Sequence, residues 1–159
     1  AITKGEKFDL VVQKAVELGV WRMVPLYTAR CEVKPGGSEK RLDRWRKIAL
    51  EAAKQTGRAR LMAIDEPIDL RKFTDSVITA GDHTIIMFSE RGGGDFARIK
   101  PTKKITAVIG PAGGWDDSEL NITRDRGFTV VTLGGRILRA ETAAIAFAAL
   151  LQHRFGDLN

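Results

Sequence analysis

The sequence of 159 residues predicts an α/β fold in which a parallel β-sheet carries helices on both faces. Short apolar or β-branched runs alternate with helical patterns along the chain, and this alternation is typical of parallel sheets. In the last third of the chain, two such runs end in a glycine-rich bend that opens a helix. The two bends are IGPAGGW at residues 109–115 and LGGRILRAETAA at residues 133–144.

Two helices and a strand are predicted in the N-terminal third of the chain. Apolar residues at helical spacing predict a first helix over residues 7–18, which ends at Gly19. Residues 22–27 have the pattern of a short strand, and a glycine-rich loop follows it. A second helix is predicted over residues 39–56, with Gly57 as its C-terminal stop.

The rest of the chain is predicted to contain four more strands and at least two helices. Asp116 and Glu119 have the spacing of a capping box, and Gly127 ends the helix that this box begins. Residues 140–153 are apolar on nearly all sides, so this helix is expected to be deeply packed or to lie in a subunit interface. The four runs that predict buried strands are residues 61–64, 84–88, 105–109 and 129–133.

The composition excludes several classes of protein. With 43% hydrophobic residues the chain has enough apolar surface for an ordinary core, so it is not a disordered protein. No apolar run is long enough to span a membrane, and no secretory leader is recognisable. A single cysteine, Cys31, excludes an internal disulfide and is typical of a reducing compartment. We therefore expect a cytoplasmic protein.

The net charge of +6 is concentrated in one fifth of the sequence. Residues 30–60 contain ten Lys or Arg and four acidic residues, whereas the rest of the chain is neutral overall. A clustered positive charge of this kind indicates a polyanionic partner such as RNA, although most charged helix faces are only solvated. The basic residues on the polar face of the second predicted helix are Lys40, Arg44, Lys47, Lys54 and Arg58.

The two glycine-rich bends are the candidate binding elements. Glycines expose backbone N–H groups and leave room for a ligand to approach them. In the second bend Ile137 and Leu138 lie between Arg136 and Arg139, which suits a flat, partly apolar ligand better than a bare phosphate. The glycines after the run 84–88 are either a third ligand loop or a flexible turn.

Other common sites are not indicated by the sequence. No G-x-G-x-x-G follows the first strand and no GK[ST] loop is present, so a Rossmann dinucleotide site and a P-loop are disfavoured. His83 and His153 are far apart and have no Cys or carboxylate neighbours at ligand spacing, so no metal site is expected.

Together the two bends resemble the cofactor-binding signature of the SPOUT methyltransferases, and they are most similar to the RsmE family, which methylates N3 of a uridine in 16S ribosomal RNA. That family has GPEGG, then a helix rich in acids, then LG-x-RILR-x-ETA; the second motif is highly specific, whereas GPAGG alone is weak. Ala112 departs from the pattern, because the family usually has glutamate there. The resemblance extends to KGEKFDLVVQKAVELGV at residues 4–20, RWRKIALEAAKQTGR at 44–58 and RFGDL at 154–158.

The resemblance implies a SPOUT domain over residues 1–159, with the last helix threaded through a loop as a trefoil knot. It also implies a homodimer, and a β-barrel RNA-binding domain that would precede this chain in the family. The implied cofactor is S-adenosylmethionine, held by three loops and enclosed by apolar side chains. The residues expected to bind it are Ser89, Glu90, Ile109, Gly110, Pro111, Gly113, Gly114, Leu133, Gly134, Ile137, Leu138, Arg139 and Thr142.

Methylation of N3 needs a group that removes its proton and one that stabilises charge on the uracil oxygens. Arg139 and Glu141 are the candidates for stabiliser and base, and Arg136 joins the basic helix as a candidate RNA contact. The alternative is structural, namely an Arg–Glu pair or an acid at a helix start.

Three functions are compatible with the sequence. The first is S-adenosylmethionine-dependent methylation of uridine N3 in small-subunit ribosomal RNA. The second is methylation by a SPOUT enzyme of a ribose 2′-hydroxyl or another base, and the third is a non-catalytic RNA-binding or ribosome-assembly module that kept the fold.

Overall fold

A computed structural model describes residues 1–77, 82–100 and 102–158 of the chain, and it has the predicted α/β architecture. Strands and helices alternate along the chain, and every strand pair in these residues is parallel. The helices are α1 (Glu6–Glu17), α2 (Ser38–Gln55), α3 (Leu70–Ser76), α4 (Asp117–Asp125) and α5 (Ala140–Phe155). The strands are β1 (Arg22–Met23), β2 (Leu26–Tyr27), β3 (Ala63–Ile64), β4 (Ile68–Asp69), β5 (His83–Phe88), β6 (Lys104–Ile109) and β7 (Thr129–Val131).

The first two helices confirm the predictions to within a residue or two. They pack together through Phe8 and Trp45, whose ring centroids lie 4.5 Å apart. Gly19 follows α1 with a φ of 78°, and Gly57 follows α2 with a φ of 66°. These left-handed conformations favour glycine because it has no Cβ, which explains why both helices end there.

The single strand predicted over residues 22–27 is instead divided into β1 and β2. The division falls at Pro25, which is buried and has no backbone N–H to donate to a ladder. The carbonyl of Pro25 still accepts the N–H of Ile68 at 3.0 Å, so the neighbouring chain segment continues alongside. β1 pairs with β3, and β2 pairs with β4.

Three elements were not predicted: β4, the short helix α3 and a 3-10 helix at Phe96–Arg98. The start of α3 had a signal in the sequence, because Asp69 caps it by accepting the N–H of Arg71 at 2.8 Å. The strand predicted over residues 61–64 is shortened to β3, and that predicted over 129–133 is shortened to β7.

The central element is a three-stranded parallel sheet in the order β6-β5-β7. Successive side chains of β5 point to opposite faces, as a strand requires. Ile85 and Met87 pack with residues of α3 and α4, whereas Ile86 and Phe88 pack with Phe147 of α5. The prediction of helices on both faces is therefore confirmed.

Within a single subunit, α5 is less buried than its apolar sequence predicts. Its side chain Phe147 stacks on Phe88 with ring centroids 3.7 Å apart and planes at 9°. Only Ala140 and Phe147 of the helix are buried, and Leu150 is exposed.

The prediction of a buried strand over residues 105–109 is wrong, because β6 pairs with β5 on one side and leaves Ala107 exposed.

None of the helices in the described part of the chain is long and apolar enough to cross a membrane.

Candidate functional site

Three loops leave the central sheet at the same level. In the parallel register, Phe88 at the end of β5 is paired with both Ile109 of β6 and Val131 of β7. The loops that follow these residues therefore start side by side, at the carboxyl edge of the sheet, where α/β proteins bind ligands. The two predicted glycine bends are two of these loops, and the glycine-rich segment 89–94 is the third.

The first bend, residues 110–114, is seated on the sheet by Trp115. The indole is buried, and its Nε1–H donates to the carbonyl oxygen of Phe88 at 2.8 Å. A Cβ at Gly110 would lie 3.0 Å from this ring, so the bend passes directly over it. At the far end of the bend Gly114 has a φ of 72°, and its N–H donates to the carbonyl of Pro111 at 3.0 Å.

The loop after β5 is tied to β7 by backbone and side-chain hydrogen bonds. Buried Ser89 donates its N–H to the carbonyl of Val131 at 2.9 Å, and its Oγ–H to the carbonyl of Arg91 at 2.8 Å. The N–H of Gly93 donates to Oγ1 of Thr132 at 3.0 Å. A Cβ at Gly93 would come within 2.5 Å of the Thr132 nitrogen, so only glycine permits this approach.

Glu90 and Arg91 link this loop to the first bend. Oε1 of Glu90 lies 2.8 Å from the position that a Cβ would occupy at Gly114. Arg91 donates to Oδ1 of Asp117 at 2.8 Å and to the carbonyl of Trp115 at 3.0 Å. The two loops therefore form one hydrogen-bonded unit with the start of α4.

The capping box predicted at the start of α4 is present. Asp116 accepts the N–H of Ser118 at 3.1 Å, and Glu119 accepts the N–H of Asp116 at 3.0 Å. Hydrogen bonds from the hydroxyl and backbone of Ser118 lower the pKa of Asp116. The stabilising effect of this carboxylate is therefore present at neutral pH and is lost as the pH falls through the lowered pKa.

Glu119 also joins α4 to the loop after β2. Its second oxygen, Oε1, accepts the N–H of Ala29 at 2.7 Å, and the residue is buried. The neighbouring Arg30 lies beside the first bend, where a Cβ at Gly113 would be 3.2 Å from the Cβ of Arg30. Trp115, Glu119 and Arg30 support the bend, although none of them was predicted from the sequence as a site residue. In the sequence, Glu119 is recognisable only as part of the capping box, and no motif marks Arg30 as a site residue.

The second bend, from Leu133 to Arg139, is open to solvent. A Cβ at Gly134 or Gly135 would meet no atom within 4 Å, and Gly134 has a φ of 62°. Ile137 is 87% exposed and Leu138 is 40% exposed. Residues 109 and 133, which the sequence grouped with them, are half-buried and pack against the cluster around Phe88 and Phe147.

The candidate catalytic residues lie where the second bend enters α5. Arg139 is the exposed N-cap residue, and Glu141 is half-buried in the first turn, followed by Thr142. Within the described residues neither Arg139 nor Glu141 forms an ion pair. The Arg–Glu pair considered as a structural alternative is therefore not formed.

The five basic residues predicted for one helix face fall into three groups, and one of them, Arg58, lies beyond the end of α2. Arg58 donates to the carbonyl oxygens of Val16, Gly19 and Val20, so it closes the C-terminus of α1. Arg44 pairs with Asp9, and Lys54 pairs with Glu51 at 2.8 Å. Lys40 and Lys47 are exposed and pair with no acid in the part of the chain described here.

Each of the two histidines has a ring nitrogen close to a protein oxygen atom. Nε2 of His83 lies 2.9 Å from Oγ1 of Thr106, and Nδ1 of His153 lies 2.9 Å from the carbonyl oxygen of Leu158. Across residues 1–77, 82–100 and 102–158, no group of three or more His, Cys, Asp or Glu side chains is arranged to hold a metal ion.

Comparisons with known proteins identify the type of domain. A family model described as an RNA methyltransferase domain matches residues 1–152. The ribosomal RNA small subunit methyltransferase E of Mesomycoplasma hyopneumoniae is 37% identical over 147 residues, and that of Synechocystis is 35% identical over 149 residues. These alignments cover 91% and 90% of this chain, but only 63% and 48% of the two relatives.

Solved structures have the same fold. A putative methyltransferase from Legionella pneumophila, in complex with S-adenosylmethionine, has a TM-score of 0.92 and 34% identity. The ribosomal RNA small subunit methyltransferase E of Neisseria gonorrhoeae, also bound to S-adenosylmethionine, gives the same two values. The two structural alignments cover 99% and 100% of this chain, and each covers 65% of the other protein's chain.

The role of Glu119 as the support of the first bend can be tested by mutation. Glu119→Ala should lower the free energy of unfolding by about 1–3 kcal/mol, because it leaves the N–H groups of Ala29 and Asp116 without an acceptor. Denaturant titration measures this loss. Asn121→Ala, at an exposed position of the same helix, is the control and should change stability by less than about 0.5 kcal/mol. Equal stabilities for the two variants would contradict the role.

Proposed function

Because this chain belongs to the family of RNA methyltransferase domains, we propose that it transfers a methyl group from S-adenosylmethionine to N3 of a uridine in small-subunit ribosomal RNA. The observation that carries the proposal is the set of three loops at one sheet edge, in a fold shared with two methyltransferases solved with that cofactor. The choice of N3 rests on the resemblance to the RsmE family. The proposed enzyme is cytoplasmic.

The proposed cofactor site is made mostly of backbone. In this proposal the first bend contributes backbone groups of Gly110, Pro111, Gly113 and Gly114, of which Pro111 has no N–H and offers only its carbonyl. The second bend contributes backbone groups of residues 133–142. Ser89 and Glu90 contribute from the third loop. Ile109 and Leu133 form its apolar base, and the exposed Ile137 and Leu138 close over the adenine when the cofactor binds. We further propose that α5 is threaded through a loop as a trefoil knot, as in SPOUT proteins.

The proposed chemistry needs few protein groups. S-adenosylmethionine supplies an electrophilic methyl group on a sulfonium. N3 of uridine must lose its proton, and Glu141 accepts it. Arg139 stabilises the negative charge that spreads onto the uracil oxygens. The lone pair of N3 then forms the new N–CH₃ bond as the S–CH₃ bond breaks, and neutral S-adenosylhomocysteine leaves. A base held in a duplex is inaccessible, so the target is single-stranded or flipped out.

The proposed RNA surface is narrower than the whole basic face of α2. Lys40 and Lys47 can neutralise phosphates directly, whereas Arg44 and Lys54 would first give up their acidic partners. Arg58 is occupied by three carbonyl groups, so we assign it to the fold and not to RNA. Arg136, in the exposed second bend, is the proposed contact beside the target base.

The partly exposed apolar side of α5 supports a proposed homodimer. Leu150 is exposed and most neighbouring apolar residues are only half-buried, which is typical of a surface that a second subunit covers. Sedimentation velocity at micromolar concentration measures this association directly.

Two alternative functions remain. A SPOUT enzyme acting on another base or on a ribose 2′-hydroxyl would yield a different modified nucleoside, which mass spectrometry identifies. A non-catalytic RNA-binding module is favoured by Ala112, since the bend lacks the carboxylate usual in the RsmE family. Absence of cofactor binding would support that module.

The first prediction concerns cofactor binding. Calorimetry with S-adenosylhomocysteine should give one site per chain, and Gly134→Val should abolish it. A branched side chain would occupy open space at the second bend and is strained at a φ of 62°. Gly5→Val is the matched control, because Gly5 has a φ of 64° and equally open surroundings before α1. If wild-type protein that is well folded binds no S-adenosylhomocysteine, the methyltransferase proposal is wrong.

The second prediction concerns the two unpaired lysines. Replacing Lys40 and Lys47 with alanine should weaken binding of single-stranded RNA without changing cofactor affinity. The slope of log affinity against log salt should fall by roughly 0.7 for each phosphate that the variant no longer neutralises. The control pair Arg71→Ala and Lys72→Ala removes the same charge from exposed positions of α3. An unchanged slope in the Lys40 and Lys47 variant would mean that this face is only solvated.

The third prediction concerns Arg139 and Glu141. Arg139→Ala should lower the single-turnover methylation rate on small ribosomal subunits by ~10²- to 10³-fold, the effect of removing one oriented charge-stabilising donor. Cofactor affinity should change little, higher pH should restore part of the rate by ionising N3, and Arg139→Lys should restore part of it. Loss of cofactor binding in Arg139→Ala would instead give Arg139 a role in organising the loop.

Glu141→Gln should slow the methylation reaction if Glu141 is the base. If Glu141 is only a helix-start acid, the same variant should lower the free energy of unfolding by about 0.3–1 kcal/mol and leave the methylation rate intact.

A further inference from the structure

Glu90 is a carboxylate at the junction of two of the site loops, and its ion-pair partner, Arg91, is shared with Asp117. Three other acids lie close by in the first bend and α4, and each is occupied: Asp116 by Ser118, Asp117 by Arg91, and Glu119 by the backbone of Ala29 and Asp116. By contrast, Glu90 accepts no hydrogen bond from any residue in the described ranges. Its side chain is 32% exposed.

The cation nearest to Glu90 does not neutralise it fully. Nε of Arg91 lies 3.5 Å from Oε1 of Glu90, which is too long for a good hydrogen bond. The terminal nitrogens of the same guanidinium are already used, by Asp117 at 2.8 Å and by the carbonyl of Trp115 at 3.0 Å. The charge of Arg91 is thus shared with Asp117, and Glu90 keeps negative charge and acceptor capacity towards the site.

The first bend passes close to this carboxylate. A Cβ at position 114 would lie 2.8 Å from Oε1 of Glu90, and the φ of 72° there favours glycine. The backbone that leads into Glu90 is fixed by Ser89, whose N–H donates to the carbonyl of Val131 in β7. The charge therefore lies at the meeting point of the loops after β5 and β6, where the proposed function puts the cofactor.

We propose that Glu90 supplies the negative charge by which this site selects the positively charged cofactor over its neutral product. The inference rests on the proposed function. S-adenosylmethionine carries a sulfonium cation, whereas S-adenosylhomocysteine has an uncharged thioether and is otherwise the same molecule. A carboxylate near the sulfur strengthens binding of the first and not of the second. It thereby favours loading of the substrate and release of the product.

The experiment compares the two ligands in three proteins. Calorimetry measures the affinity of S-adenosylmethionine and S-adenosylhomocysteine for the wild type, for Glu90→Gln and for Glu66→Gln. Glu90→Gln should weaken S-adenosylmethionine roughly ten-fold, the effect of one nearby charge at a partly solvated site, and leave S-adenosylhomocysteine within about two-fold. Glu66→Gln is the control for net charge, because Glu66 is exposed between β3 and β4 and belongs to none of the three loops.

A second measurement needs no variant. Because salt screens an exposed charge, raising the ionic strength should lower the wild-type preference for S-adenosylmethionine over S-adenosylhomocysteine. A preference that does not change with salt would overturn the inference, even if Glu90→Gln failed to fold. Glu90→Asp, which keeps the charge, should retain most of the preference.

The outcomes separate this inference from the proposed function. If the wild type binds neither ligand, the proposed function fails. If it binds both and Glu90→Gln weakens both equally, Glu90 contacts a part common to the two ligands, and charge selection is wrong. If Glu90→Gln changes neither affinity, Glu90 has no role in cofactor binding.

Discussion

The register that pairs Phe88 with both Ile109 and Val131 is the constraint on which the rest of the site depends. Because the three strands end at one level, the loops that follow begin side by side. A slip of one residue on β6 would turn its side chains to the opposite face and move the start of the first bend. The hydrogen bond from Trp115 to the carbonyl of Phe88 fixes this arrangement, since it ties the bend after β6 to the end of β5.

The supporting contacts divide the site into a part that is fixed by hydrogen bonds and a part that is exposed to solvent. The first bend and the loop after β5 are held by Arg91, Glu119 and Trp115, through hydrogen bonds of 2.7–3.0 Å. The second bend has no such support at Gly134, and its apolar side chain Ile137 is 87% exposed. Exposure of this kind is costly unless something covers the side chain, so the second bend is the part of the site that a ligand would complete.

The charges of the chain also divide by the partners that the fold gives them. Basic residues that are equivalent in the sequence differ in the structure, since Arg58 closes a helix terminus and Lys47 faces solvent. Among the acids, Glu119 is buried with two backbone donors, whereas Glu90 accepts no hydrogen bond within the described residues and lies 3.5 Å from Nε of Arg91. A count of charges along the sequence therefore does not distinguish the charged groups that the fold occupies from those that it leaves exposed.

The sequence alone determined the local features of this protein. Helical spacing, the capping box at Asp116 and the stops at Gly19 and Gly57 depend on neighbours within a turn, so they could be predicted, and so could the two glycine bends. The tertiary structure decided what depends on distant residues. It tied the loop after β5 to β7, took Arg58 away from the basic face and brought Glu90 against Gly114. These contacts join residues that are far apart in the chain, and no local pattern encodes which of them will meet.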